Sequence, residues 1–276
     1  MGRLFTFGCS FTNYMWPTWA NIVAFDRQKE LYNYGHAGLG NVGIMLRVLE
    51  ADMKWNFTDD DEIMIMWSSW TRDDKVLQNT WQGNGSRFNH IAHIKQLGKT
   101  WSPEDDIIKN ASAMIYVKKA YGNLITFQGN GFTPWIGEGA TGIIDTALYK
   151  VFDNEKEVVK IKNFYQKHTP NIPTKSLDKV STQAFDYVAD CHPDIKGHLQ
   201  IVEDFVYPNC NHVIELRQET KDTFNDIHEK LKQRLMKVGA KTLDKAQPYP
   251  AGIIQEFYPE LEDLFTIRSL IDDMSG

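Results

Sequence analysis

This chain is short of several things, and each shortage excludes a class of protein. Its 276 residues include only three cysteines, Cys9, Cys191 and Cys210. They are too few and too scattered for a disulfide framework, so a reducing compartment is expected. No apolar run reaches the roughly 20 residues that a membrane-spanning helix needs. The opening Met1-Gly2-Arg3-Leu4 has no signal-peptide apolar region, so neither secretion nor membrane insertion is expected. Basic residues are outnumbered, 30 Lys and Arg against 36 Asp and Glu, for a net charge of -6. That balance argues against nucleic-acid and membrane-surface partners, which call for a basic face. No cysteine or histidine spacing matches a usual zinc site, so no metal or cofactor is expected. Internal repeats and low-complexity segments are absent.

What remains is patterned for an α/β fold. Leu4-Phe5-Thr6-Phe7 reads as a buried strand, Pro17 opens a helix through Phe25, and Leu31 to Tyr34 reads as a second strand. The glycine-rich turn Gly35-His36-Ala37-Gly38-Leu39-Gly40-Asn41 leads into a helix with Val42, Met45, Val48 and Leu49 at core spacing. Ile63-Met64-Ile65-Met66-Trp67 is a strongly apolar strand. This β-α-β-α-β order predicts a parallel sheet covered on both faces. Ser102-Pro103-Glu104-Asp105 starts a helix, Leu124 to Phe127 is another strand, and Ile195, Leu199, Val202 and Val206 mark a helix after His192-Pro193. Residues 71–101 and 129–178 read as loop-rich excursions. The division expected is a domain over 1–207 and a helical extension over 208–276. In the extension, Val213, Leu216, Thr220, Phe224, Ile227, Leu231 and Leu235 form a narrow stripe on a helix ending near Gly239. That stripe, over 212–238, can pack on the domain or on a second copy. The apolar tail, with Phe257, Tyr258, Leu261, Leu264 and Phe265, is expected to dock.

Two short stretches carry chemistry: Phe7-Gly8-Cys9-Ser10-Phe11-Thr12 and Asp190-Cys191-His192-Pro193. The first leaves a serine just past the carboxyl end of a strand, the rim where open α/β sheets bind ligands. The second sets a carboxylate two positions from an imidazole. A serine hydroxyl is a poor nucleophile near neutral pH and needs a base in hydrogen-bond reach. Brought together, Ser10, His192 and Asp190 would be nucleophile, base and the base's orienter.

These blocks resemble the SGNH, or GDSL, hydrolase superfamily. Gly8-Cys9-Ser10 stands where that family has its Gly-Asp-Ser nucleophile motif, with Cys9 in place of the aspartate. Asn33-Tyr34-Gly35-His36-Ala37-Gly38 matches its second block, which implies that the N–H of Gly38 joins that of Ser10 in an oxyanion hole. In the third block Trp67-Ser68-Ser69-Trp70 departs from the family's Gly-x-Asn, so Ser69 takes the place of the side-chain amide donor. Asp190 and His192, followed by Gly197-His198, match the last block. The resemblance implies a three-layer α/β/α sandwich around a central parallel sheet. It further implies a serine esterase or deacetylase that forms an acyl-enzyme on Ser10, acting on a small-molecule or carbohydrate ester such as an O-acetyl group. The compact chain with aromatic-rich loops is also similar to phage-encoded members, which makes its expected location cytoplasmic or virion-associated.

Other readings stay open at this point. The departure at Ser69 and the C-terminal helix favour a catalytically inactive binding or structural module, and the same fold hosts O-acyltransferases. Cys9 and Cys191 read as buried, inert thiols. Trp67, Trp70, Trp81, Trp101 and Trp135 can line a cleft or pack the core. His36, His90, His93, His168, His198, His212 and His228 are scattered, and the acidic run 59–62 reads as a solvated loop.

Overall fold

The structure is a computed structural model that describes residues 2–14, 16–68, 72–77, 80–86, 103–130, 156, 160, 192–210, 215–238 and 267–269. It opens with strand β1 (Arg3–Phe7), helix α1 (Trp19–Asp26), strand β2 (Glu30–Asn33), helix α2 (Asn41–Trp55) and strand β3 (Glu62–Trp67). A hairpin of β4 (Arg72–Leu77) and β5 (Thr80–Ser86) follows, then helix α3 (Pro103–Tyr121) and strand β6 (Ile125–Asn130). After these come α4 (Ile195–Ile201), which runs on through a π-helical turn (Val202–Val206) and a 3-10 turn (Tyr207–Asn209), then α5 (Gln218–Val238) and the short strand β7 (Ile267–Ser269).

The main sheet has the order β6-β3-β1-β2-β7, with every neighbouring pair parallel. From β1 the chain steps to β2 on one side, then crosses back to β3 on the other. Reversing the direction of travel moves a right-handed crossover to the opposite face, which sends α1 and α2 to different sides of the sheet. Side-chain alternation follows the same split. Leu4, Met64, Met66 and Phe127 face α1, α4 and α5, while Phe5, Phe7, Ile63, Ile65 and Trp67 face α2 and α3. A register irregularity opposite Ile63 and Met64, at Thr126, leaves Ile125 on one face and Phe127 on the other. Ile63 through Trp67 are all fully buried, as a central parallel strand requires. Trp67 is therefore core, and Trp81 lies on a strand whose side chains are outside the described residues.

Several expectations need correction. Residues 71–101, read as an irregular excursion, contain the antiparallel β4–β5 hairpin; β4 opens on four charged residues, and Gly83 and Gly85 interrupt β5 and mask its alternation. The helix expected to run unbroken to Val206 is α-helical only to Ile201 and then widens into the π turn. The long C-terminal helix starts at Gln218 rather than near Val213, so Leu216 precedes it. Its apolar residues Phe224, Ile227 and Leu231 are buried in the same core cluster as α1 and α4, and Phe25 meets Phe224 edge-on at 5.6 Å between ring centroids. The stripe of this helix thus packs on the domain, one of the two partners expected for it. Asp26 holds it there: its carboxylate accepts from the Tyr207 hydroxyl, the Thr220 hydroxyl at 2.6 Å and the Arg217 backbone N–H at 3.0 Å. Nor is the acidic run solvated throughout. Asp61 is buried and held bidentately by Arg3 at 2.6 and 2.7 Å, and Glu62 pairs with Arg27 and Lys29. Among the described residues, no helix is long and apolar enough to cross a membrane.

Candidate active site

The site begins where β1 ends. Gly8 has no room for a side chain, because a Cβ there would lie 2.0 Å from the Thr12 hydroxyl and 2.9 Å from the Met66 carbonyl. The chain can therefore pass close under β3 and turn at once. The Cys9 carbonyl accepts from the N–H groups of Thr12 and Asn13 at 2.9 and 3.2 Å, which closes the turn around Ser10. Cys9 is fully buried in the core on the α1 side. Ser10 keeps 4% of its surface exposed. It lies past the carboxyl end of β1, beside the point where strand order reverses between β1 and β3, the place where such sheets bind ligands.

His192 reaches this serine from the other end of the chain. Its Nε2 is 2.8 Å from Ser10 Oγ, across a sequence separation of 182. The residues around it fix that approach. Asp194 caps α4 by accepting from the Gly197 N–H at 2.8 Å, which anchors the loop just after the imidazole. The carbonyl of Pro193 accepts from Trp16 Nε1–H at 2.8 Å. The Tyr14 ring lies flat on the imidazole, with centroids 3.9 Å apart and planes 17° from parallel, and Phe11 meets it edge-on. Tyr14 and Trp16 went unread in the sequence, because nothing in their spacing points to a partner about 180 positions away.

The glycine loop after β2 is tied to the same turn. His36 N–H donates to the Gly8 carbonyl at 3.1 Å, Asn13 Nδ2 to the Gly35 carbonyl at 3.1 Å, and Asn33 Nδ2 to the Thr12 carbonyl at 2.9 Å. Gly38 has φ of 78°, a left-handed conformation that a side chain would strain. Among the described residues, neither the N–H of Ser10 nor that of Gly38 is engaged in a hydrogen bond to another protein group. Below the loop, Arg72 Nη1 donates to the Leu39 carbonyl at 3.2 Å, and the Asp74 carboxylate accepts from the N–H groups of Gly40 and Gly43 at 2.7 and 2.6 Å. The hairpin that sequence reading missed therefore braces the start of α2 and the loop leading into it. Burial, and then the Arg47 guanidinium, lower the proton affinity of His36 in this loop.

Of the expected site residues, the structure brings Ser10 and His192 into contact and places Gly38 on the adjoining loop. Asp190, Cys191 and Ser69 lie outside the described residues. Ser68, which precedes Ser69 in the chain, exchanges two hydrogen bonds with the Asn41 side chain, at 2.7 and 2.9 Å, so the end of β3 is fixed to the first residue of α2. Among the described residues, no three histidine, cysteine or carboxylate groups converge to hold a metal ion. A hydroxyl hydrogen-bonded to an imidazole is an arrangement able to activate an oxygen nucleophile. Comparison with known proteins gives no match among family models, curated sequences or solved structures.

Proposed function

We propose that this protein is a serine hydrolase of the SGNH type, folded as a three-layer α/β/α sandwich, that cleaves a carboxylic ester through an acyl-enzyme on Ser10. The observation that carries this reading is the 2.8 Å approach of His192 Nε2 to Ser10 Oγ, at the rim where a parallel sheet of this order binds its ligands. In the reaction, Ser10 Oγ attacks the ester carbonyl carbon while its proton passes to His192 Nε2. The carbonyl oxygen, now negative, is received by the N–H groups of Ser10 and Gly38, with the Ser69 hydroxyl as a third donor. Collapse of the tetrahedral intermediate expels the alcohol, which takes the proton back from His192. Water, deprotonated by the same imidazole, then attacks the acyl group and releases the acid and free Ser10. Asp190 is assigned to the remaining ring nitrogen, where a carboxylate fixes the tautomer and stabilises the imidazolium. The substrate proposed is a small-molecule or carbohydrate ester, O-acetyl groups included.

Hydrolysis of p-nitrophenyl acetate tests this directly. Ser10→Ala and His192→Gln should each lower kcat/KM by about 10⁴-fold or more. Turnover by both variants at the wild-type rate would remove the dyad from the chemistry.

A further inference from the structure

The imidazole of His192 is held by the loop that carries its own nucleophile. Two aromatic side chains of that loop, Phe11 and Tyr14, lie against the imidazole, and a third, Trp16, backs Tyr14. Phe11 meets the imidazole's edge at 5.7 Å, Tyr14 lies flat on its face at 3.9 Å, and Trp16 packs edge-on against Tyr14 at 4.6 Å while donating Nε1–H to the next carbonyl, that of Pro193. Trp16 is almost wholly buried, so the stack rests on a fixed base. A plane that lies on an imidazole removes its freedom to swing about Cβ–Cγ, and only one ring rotation then directs Nε2 at Ser10 Oγ. The contact is also sensitive to charge. When the ring takes the proton of Ser10 it becomes a cation facing the negative π surface of tyrosine, an attraction that does not exist in the neutral state.

We propose that Tyr14 is the positioning residue of this site: a π platform that orients His192 and stabilises its protonated form as Ser10 becomes the nucleophile. This rests on the serine-hydrolase reading above. The proton moves from Ser10 Oγ to His192 Nε2, and Tyr14 exchanges none. The role belongs to its ring rather than its hydroxyl, so phenylalanine should replace it and an aliphatic side chain of similar bulk should not.

The test compares wild type, Tyr14→Phe and Tyr14→Leu in two measurements. The first is the maximal rate of Ser10 modification by a fluorophosphonate probe, separated from the probe's half-saturating concentration. The second is the position of the His192 Cε1–H resonance, assigned by its loss in His192→Gln. Tyr14→Phe should label within about twofold of wild type and keep the resonance in place. Tyr14→Leu should label about tenfold more slowly at saturation, with half-saturation unchanged, and its His192 resonance should move downfield as the ring current of the platform is lost. Wild-type labelling by Tyr14→Leu would overturn the proposal, and so would an unmoved resonance. A wild-type protein that resists the probe, while Tyr14→Leu still displaces the resonance, would instead overturn the hydrolase reading and the catalytic part of this role with it.

Discussion

His198 is fully buried, and neither of its ring nitrogens has a hydrogen-bond partner among the described residues. Burial first, and the neighbouring His192 second, push its imidazole down to about 3 from an ordinary 6.5. The folded protein therefore keeps this ring neutral where the unfolded chain would protonate it. Such a group leaves stability intact above about pH 6.5 and drains it as pH falls toward about 3, at about 1.4 kcal/mol per pH unit. Between pH 7 and pH 5 the contribution lost is about 2 kcal/mol. Urea unfolding at the two pH values should show that His198→Phe loses correspondingly less stability than wild type. An equal loss in the two proteins would contradict the account. At this scale the sequence was partly readable. Ser10 and His192 stand out as candidates because few residue types can serve as nucleophile and base. Tyr14 and Trp16 do not, since an aromatic ring is equally at home in any core and its partner is set only by the fold.

Among the elements, the parallel strands and the helices between them were legible, because burial on both faces leaves continuous apolar runs such as Ile63 to Trp67. The hairpin after β3 was not. Its strands carry Arg72, Asp73, Asp74 and Lys75 and then a glycine-broken stretch, so neither apolar period nor turn dipeptide marks them. Yet it performs a local task that no helix start signal revealed. Gly40 stands at the N-cap of α2 and has no side chain to accept the free N–H groups there, and Asp74 of the hairpin supplies the carboxylate instead. Asp74→Ala should lower stability by about 1–2 kcal/mol, the usual loss for a removed cap. Because the same helix start follows the Gly38 loop, ester hydrolysis should fall alongside, and Asp74→Asn should recover part of both. Thermal unfolding and p-nitrophenyl acetate turnover check this, and an unchanged melting temperature in Asp74→Ala would count against it.

In the whole molecule, the sheet gathers the parts of one site from distant stretches of chain. β1 delivers Ser10, the loop after β2 delivers Gly38, and the segment before α4 delivers His192. Asp26 meanwhile joins α1, the turn at Tyr207 and the start of α5. Burial and the Asp26 carboxylate push the Tyr207 hydroxyl well above its ordinary range, so it remains a donor throughout the accessible pH range. α5 was legible as an amphipathic helix from its three- and four-residue steps. Its partner was not, because an apolar stripe fits a domain face or a second copy equally well; the burial of Phe224, Ile227 and Leu231 in the core shows the domain face as one partner. The account's central claim is that this assembly makes Ser10 a nucleophile. It is tested most directly by exposing the folded protein to a fluorophosphonate probe and locating the adduct by mass spectrometry. A single adduct on Ser10, lost in His192→Gln and Ser10→Ala, is the predicted result. A folded wild type that stays unmodified, or an adduct on another residue that persists in both variants, would contradict it.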